Sequence, residues 1–196
     1  MKLIHANPVR RSVCLLALVL LLSGCANDRS EEMAVDERPK LLIAAERGDL
    51  PTLTRLLESE PTIDVKDACL WTPLMKAALN GHYEAAKRLI QAGADVNQTD
   101  KGGYSSLMLA ASNNHPDMVE LLLESGAEID QVETTKGWTA LIWAAKLGHR
   151  DAVMHLLNYP VDRGIVDFSG KRALDWAREN RFHEIAALLG NERLAP

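Results

Sequence analysis

The sequence predicts an all-α repeat fold, a solenoid of about five helix–turn–helix–hairpin units. Leu41-x-x-Ala44-Ala45 recurs as Leu74-x-x-Ala77-Ala78, Leu107-x-x-Ala110-Ala111, Leu141-x-x-Ala144-Ala145 and, altered, Leu174-x-x-Ala177-Arg178, in steps of 33, 33, 34 and 33. A second marker follows in nearly the same register: Leu56-Leu57, Leu89-Ile90, Leu122-Leu123, Leu156-Leu157 and Leu188-Leu189. A period of this length means stacked units, each burying its apolar face on its neighbours. The composition agrees. Hydrophobic residues make up 47% but aromatics only 5%, so the core is one of Leu, Ala, Ile and Val, which suits closely packed short helices.

The second unit shows why each element forms. Thr72 supplies a side-chain oxygen at an N-cap, and Pro73 follows in the first turn, where its missing N–H costs nothing. Leu74, Ala77 and Ala78 share one face at three- and four-residue spacing. Gly81 ends this helix by taking a positive φ. Tyr83 to Ala92 forms a second helix with Ala86, Leu89 and Ile90 inward, ended by Gly93. Asp95-Val96-Asn97 then leads into a polar hairpin, or finger, running to Tyr104. The repeats fall at about 40–67, 68–100, 101–135, 136–167 and 168–196.

Three departures stand out. Leu70 occupies the finger position that Gly103, Gly137 and Gly170 fill elsewhere. One extra residue between Gln131 and Trp138 accounts for the step of 34. Tyr159-Pro160-Val161 replaces a Gly-Ala pair, so the last finger is expected to be irregular. The end units are expected to act as caps, since a stack needs polar outer faces. Asp175 and Arg178 stand where inner units carry Met, Ile or Ala, and Glu46, Arg47, Asp49, Arg55 and Glu58 surround the first leucine stripe.

Thr72-Pro73-Leu74, Ala77-Ala78, Gly81-His82, Leu89-Ile90 and Gly93-Ala94-Asp95-Val96-Asn97 together resemble the ankyrin repeat. The resemblance covers about residues 40–190, nearly all of the chain beyond its N-terminal segment. It implies a stack of helix pairs with projecting fingers that binds other proteins through finger tips and the concave inner-helix face. It implies no shared catalytic residue. The family's His after Pro-Leu is missing here; those positions hold Met75, Met108, Ile142 and Asp175.

The first 24 residues read as a signal peptide. Lys2, Arg10 and Arg11 form a basic start, and Val13 to Leu22 is an apolar run too short to span a bilayer. Leu22-Ser23-Gly24-Cys25 resembles the bacterial lipobox, which implies lipidation of Cys25. Residues 25–39 are then a lipidated cysteine and a flexible tether. Ala26 after the cysteine resembles the outer-membrane class, so the expected location is the bacterial cell envelope, lipid-anchored at the outer membrane and facing the periplasm. Loss of the three basic residues takes the formal net charge from −5 to −8, which argues against nucleic acid as a partner. Cys14 leaves with the signal and lipid consumes Cys25, so Cys69 is expected to stand alone as an accessible finger residue.

No catalytic set, metal site, cofactor or small-molecule substrate is expected. No metalloprotease helix, nucleophile elbow or phosphate-binding glycine loop is present. His82, His115 and His149 recur at one repeat position and read as loop residues, because packed helices sit ~8–10 Å apart, too far for three successive rings to share one ion. One pattern rises above the scaffold. Trp71, Tyr104, Trp138 and Lys171 share a finger position, and Lys76, Leu109, Trp143 and Trp176 share an inner-helix position. Large aromatics concentrate at binding hot spots, so Trp71, Tyr104 and Trp138 are expected to line an exposed ridge, with Lys171, Trp143, Asn80, Asn113 and Lys146 as further partner-binding residues. The expected function is therefore a protein–protein interaction module. An immunity protein neutralising a periplasmic toxin is the alternative; a thiol-dependent or enzymatic role through Cys69 is the least supported.

Overall fold

The computed structural model describes residues 39–59 and 62–190. The expected signal peptide, the lipidation site Cys25 and the tether up to residue 38 lie outside them. Ten helices occur among the described residues: α1 (Lys40–Arg47), α2 (Leu50–Ser59), α3 (Pro73–Asn80), α4 (Tyr83–Gln91), α5 (Ser106–Ser112), α6 (Pro116–Glu124), α7 (Ala140–Leu147), α8 (Arg150–Leu157), α9 (Ala173–Glu179) and α10 (His183–Gly190). The odd-numbered helices pack on one another in order as an inner layer, and the even-numbered ones as an outer layer. No described strand occurs; one antiparallel bridge joins Thr99 and Ser105 at a finger base. No described helix is long and apolar enough to cross a membrane.

Helix starts follow the caps. The side-chain oxygens of Thr72, Ser105 and Thr139 accept hydrogen bonds from the amides of Met75, Met108 and Ile142 at 3.3, 3.4 and 3.2 Å. Arg172 has no side-chain acceptor to serve this way; here the Asp175 amide donates to the Arg172 carbonyl at 3.0 Å and the Asp175 carboxylate accepts from the Arg172 amide at 3.0 Å. The leucine–alanine stripe forms the core: Leu74, Ala77 and Ala78 are fully buried, and α7 buries every residue from Ala140 to Ala145. The last inner helix, α9, buries only Ala173 and Ala177, as a polar cap requires.

Neighbouring repeats are clasped at three places. The ring Nε2–H of His82, His115 and His149 donates to the carbonyls of Glu46, Leu79 and Ser112 at 3.0, 3.1 and 3.0 Å, so each histidine caps the inner helix before it. The ring of His115 also covers Gly81, where a Cβ would sit 2.7 Å from it. At the finger bases Asp64, Asn97 and Asp130 accept from the amides of Asp95, Glu128 and Asp162 at 3.1, 2.8 and 3.1 Å. At the finger turns the amides of Lys101, Thr134 and Phe168 donate to the carbonyls of Cys69, Gly102 and Lys136 at 3.1, 2.9 and 2.9 Å. The last finger is irregular only at its entry, where Val161 donates to Tyr159 at 2.7 Å; its tip matches the others.

Burial pushes the His149 imidazole below its ordinary pKa, more strongly than its bond to Ser112 raises it, with His115 adding repulsion. The unfolded chain therefore binds a proton that the folded chain resists. The contribution to stability is present above the unfolded-state value, roughly pH 6.5, and is lost as pH falls from there through the folded-state value. The thermal midpoint should drop between pH 7 and 5, and H149Q should flatten that slope. An unchanged slope would assign the acid sensitivity to other groups.

Leu70 adopts φ 65°, a conformation costing an L-residue roughly 1–2 kcal/mol. Its side chain is 40% exposed and so recovers little by packing. Leu70→Gly is expected to stabilise the fold by about 0.5–1 kcal/mol after the extra unfolded-state entropy of glycine is subtracted. A lower urea midpoint in that variant would show that leucine packing outweighs the strain.

Candidate functional site

Each finger turn is built on one carboxylate. Asp67 accepts from the amides of Cys69 and Trp71, both at 2.9 Å. Asp100 accepts from Gly102 and Tyr104 at 2.8 and 2.9 Å, and Asp167 from Ser169 and Lys171 at 2.8 and 2.9 Å. The third finger has one more residue to span. Glu133, one methylene longer than Asp, reaches the amides of Thr135, Lys136 and Trp138 at 2.6, 2.7 and 3.1 Å. The side chain lengthens with the turn, and Glu133 is fully buried.

This turn rolls the residue after it inward, which corrects the exposed ridge expected of the finger aromatics. Trp71, Tyr104 and Trp138 are only 8, 7 and 6% exposed. The finger row and the inner-helix row interdigitate. Lys76 lies 4.4 Å from the centre of the Trp71 ring and 3.6 Å from Asp67. The Trp143 ring packs 5.9 Å from Tyr104 and 4.5 Å, edge-on, from Trp138. Trp176 continues the stack 5.8 Å beyond Trp138. The Nε1 of Trp143 is buried and has no hydrogen-bond partner.

The stack opens at its C-terminal end into a cleft of about 560 Å³ between the last two fingers and the inner helices. Thr135, Lys136 and Trp138 line one side, Asp167, Phe168 and Ser169 the other, and Lys146 of α7 and Trp176 of α9 form the floor. The second oxygen of Asp167 accepts both indole N–H groups, from Trp138 at 2.9 Å and Trp176 at 2.8 Å. Burial pushes the Asp167 carboxyl up, but the bonds from Ser169, Lys171, Trp138 and Trp176 together outweigh it and hold the group well below the usual carboxylate range. Asp167 therefore stays ionised and fixes both rings. The Lys146 ammonium sits 3.2 Å from the centre of the Trp176 ring and 5.0 Å from that of Trp138. Lys171 lies 4.2 Å from the centre of Trp176 on the finger side and pairs with Glu179. Phe168 is 72% exposed, with one ring edge where a Cβ on Gly137 would stand.

Of the residues expected to bind a partner, Trp138 and Lys146 line this cleft, while Lys171 and Trp143 touch its rings. Trp71 and Tyr104 belong to the stack further along. Asn80 and Asn113 cap inner helices instead, their amides donating to the carbonyls of Lys76 and Leu109, both at 2.9 Å. Lys136, Phe168 and Asp167 were not singled out in the sequence. The recurrence of Asp67, Asp100, Glu133 and Asp167 in steps of 33, 33 and 34 is the signal that marks the last of these. Phe168 carries no such signal, because Ala68, Lys101 and Thr134 stand at its position elsewhere.

Cys69 is half-buried in the first finger turn, its amide donating to Asp67 and its carbonyl accepting from Lys101, which corrects the expectation of an accessible finger residue. Among the described residues no group of His, Cys, Asp and Glu could hold a metal ion. Indole faces, ammonium groups and an exposed phenyl ring form a surface suited to binding.

A family model described as ankyrin repeats, in three copies, matches residues 41–133 and again 126–194. The two matches overlap at residues 126–133 and together reach all ten described helices. Ankyrin repeats generally act as protein–protein interaction modules. The chain belongs to the ankyrin-repeat family.

Proposed function

We propose that this protein is a lipoprotein of the bacterial cell envelope, anchored through Cys25 and facing the periplasm, that binds another protein through the inner-helix face and fingers of its last two repeats. The cleft between those fingers carries the reading. It combines two ordered indoles with the exposed Phe168 ring, and aromatic clusters of this kind anchor protein interfaces. The short apolar run ending at Leu22-Ser23-Gly24-Cys25 supports the anchor. An immunity role against a basic toxin draws on the acidic net charge, but the lysines around the cleft oppose it at this surface.

A photo-crosslinking residue placed at Phe168 in living cells should capture a discrete partner, whereas the same residue at Tyr83, on the outer layer, should not. Cys25→Ala should abolish lipid labelling and processing of the precursor. Equal labelling of Cys25→Ala and wild type would end the lipoprotein reading. A crosslink pattern at Phe168 identical to that at Tyr83 would end the cleft-binding one.

A further inference from the structure

Two ammonium groups line the cleft against a single carboxylate. Lys136 and Lys146 both line it, and neither forms an ion pair among the described residues. The nearby carboxylates are committed elsewhere. Asp167 is occupied by two backbone amides, the Ser169 hydroxyl and two indoles, and Glu179 pairs with Lys171. Lys146 is half-buried against two indole faces. Burial holds its ammonium below the ordinary lysine value, and the charges of Lys171 and Lys136 push the same way against the pull of Glu179 and Asp167. An anion brought to this point would relieve that repulsion. Phe168, beside the two lysines, offers an apolar face to whatever flanks the anion.

Resting on the protein-binding reading above, we infer that the cleft takes an acidic stretch of the partner, with an Asp or Glu carboxylate against Lys136 and Lys146 and a neighbouring apolar side chain against Phe168. A charge-assisted contact to a partly desolvated ammonium is stronger than a neutral one. The exposed phenyl ring beside the lysines fits a peptide, which carries apolar side chains next to its carboxylates, better than a phosphate backbone, which presents none to Phe168.

The test uses the full chain in detergent micelles and a displayed library of random dodecapeptides. Enriched peptides should carry Asp or Glu next to an apolar residue. Their affinity should fall about tenfold, equivalent to ~1.4 kcal/mol, in Lys146→Glu and separately in Lys136→Glu. Lys136 is an exposed finger residue, so Lys136→Glu should melt like wild type, and it should bind the Glu→Lys version of the peptide better than wild type does. Enriched peptides that lack acidic residues, or that ignore both lysine changes, overturn the acidic assignment while leaving protein binding in place. The assignment also falls if no peptide is enriched, or if an oligothymidylate binds with the lysine dependence that the peptides lack. Protein binding itself fails separately, when the Phe168 crosslinker captures nothing beyond the Tyr83 control.

Discussion

Trp138→Ala is expected to destabilise the protein by about 3–5 kcal/mol, the range for truncating a buried tryptophan. Its ring is 6% exposed and lies between those of Trp143 and Trp176. Removing it opens a cavity between two repeats and takes one of two indole donors from Asp167. Trp138→Phe separates these effects. It keeps most of the packing but loses the N–H, and the loss should be nearer the ~1.5–3 kcal/mol of a hydrogen bond to a charged group. Urea melts of the two variants decide the matter. If Trp138→Ala leaves the midpoint unchanged, the ring does not pack as described. Because the ring also borders the cleft, partner affinity should fall as well, but that fall is interpretable only at concentrations of urea and temperature where the variant remains folded.

Leu107→Ala should cost about 2–5 kcal/mol. Leu107 is 1% exposed and lies on α5, the middle inner helix, which packs on both α3 and α7. In a linear stack each unit is held mainly by its neighbours, so a cavity here weakens the central repeat and both interfaces that depend on it. The matched change Leu174→Ala lies on α9, which buries only Ala173 and Ala177, and should cost clearly less. The comparison is made by urea denaturation of both variants under one condition. A loss for Leu107→Ala below roughly 0.5 kcal/mol, the scale of a surface substitution, would show that the central stripe is not the core. Equal losses at the two sites would contradict the capping role of the last unit.

The repeat length, the helix pairs, their caps and the histidine loop position were all legible in the sequence. Each depends on local chemistry that repeats with the chain. A Thr or Ser cap, a leucine–alanine stripe and a residue in the left-handed region recur because every unit solves the same backbone problem. Arg172 shows how far that legibility extends: the cap position is recognisable, but the bond runs the other way, from the Arg172 amide to the Asp175 carboxylate three residues later. Similarly, the extra residue in the third finger is visible in the spacing, while the reason it is tolerated is the longer reach of Glu133.

The sequence by itself determined that aromatic residues recur at one finger position; only the tertiary structure decided that they point inward. A finger side chain meets either water or the next inner helix, and its choice depends on how the turn carboxylate pulls the backbone round. Asp67, Asp100, Glu133 and Asp167 turn Trp71, Tyr104, Trp138 and Lys171 toward the helices. The three rings are thereby buried, whereas Phe168, without an aromatic counterpart in the other repeats, is left exposed. The cleft likewise exists only in three dimensions. Lys136, Lys146, Asp167 and Trp176 come from two fingers and two helices, and what brings them together is the stacking of one repeat on the next.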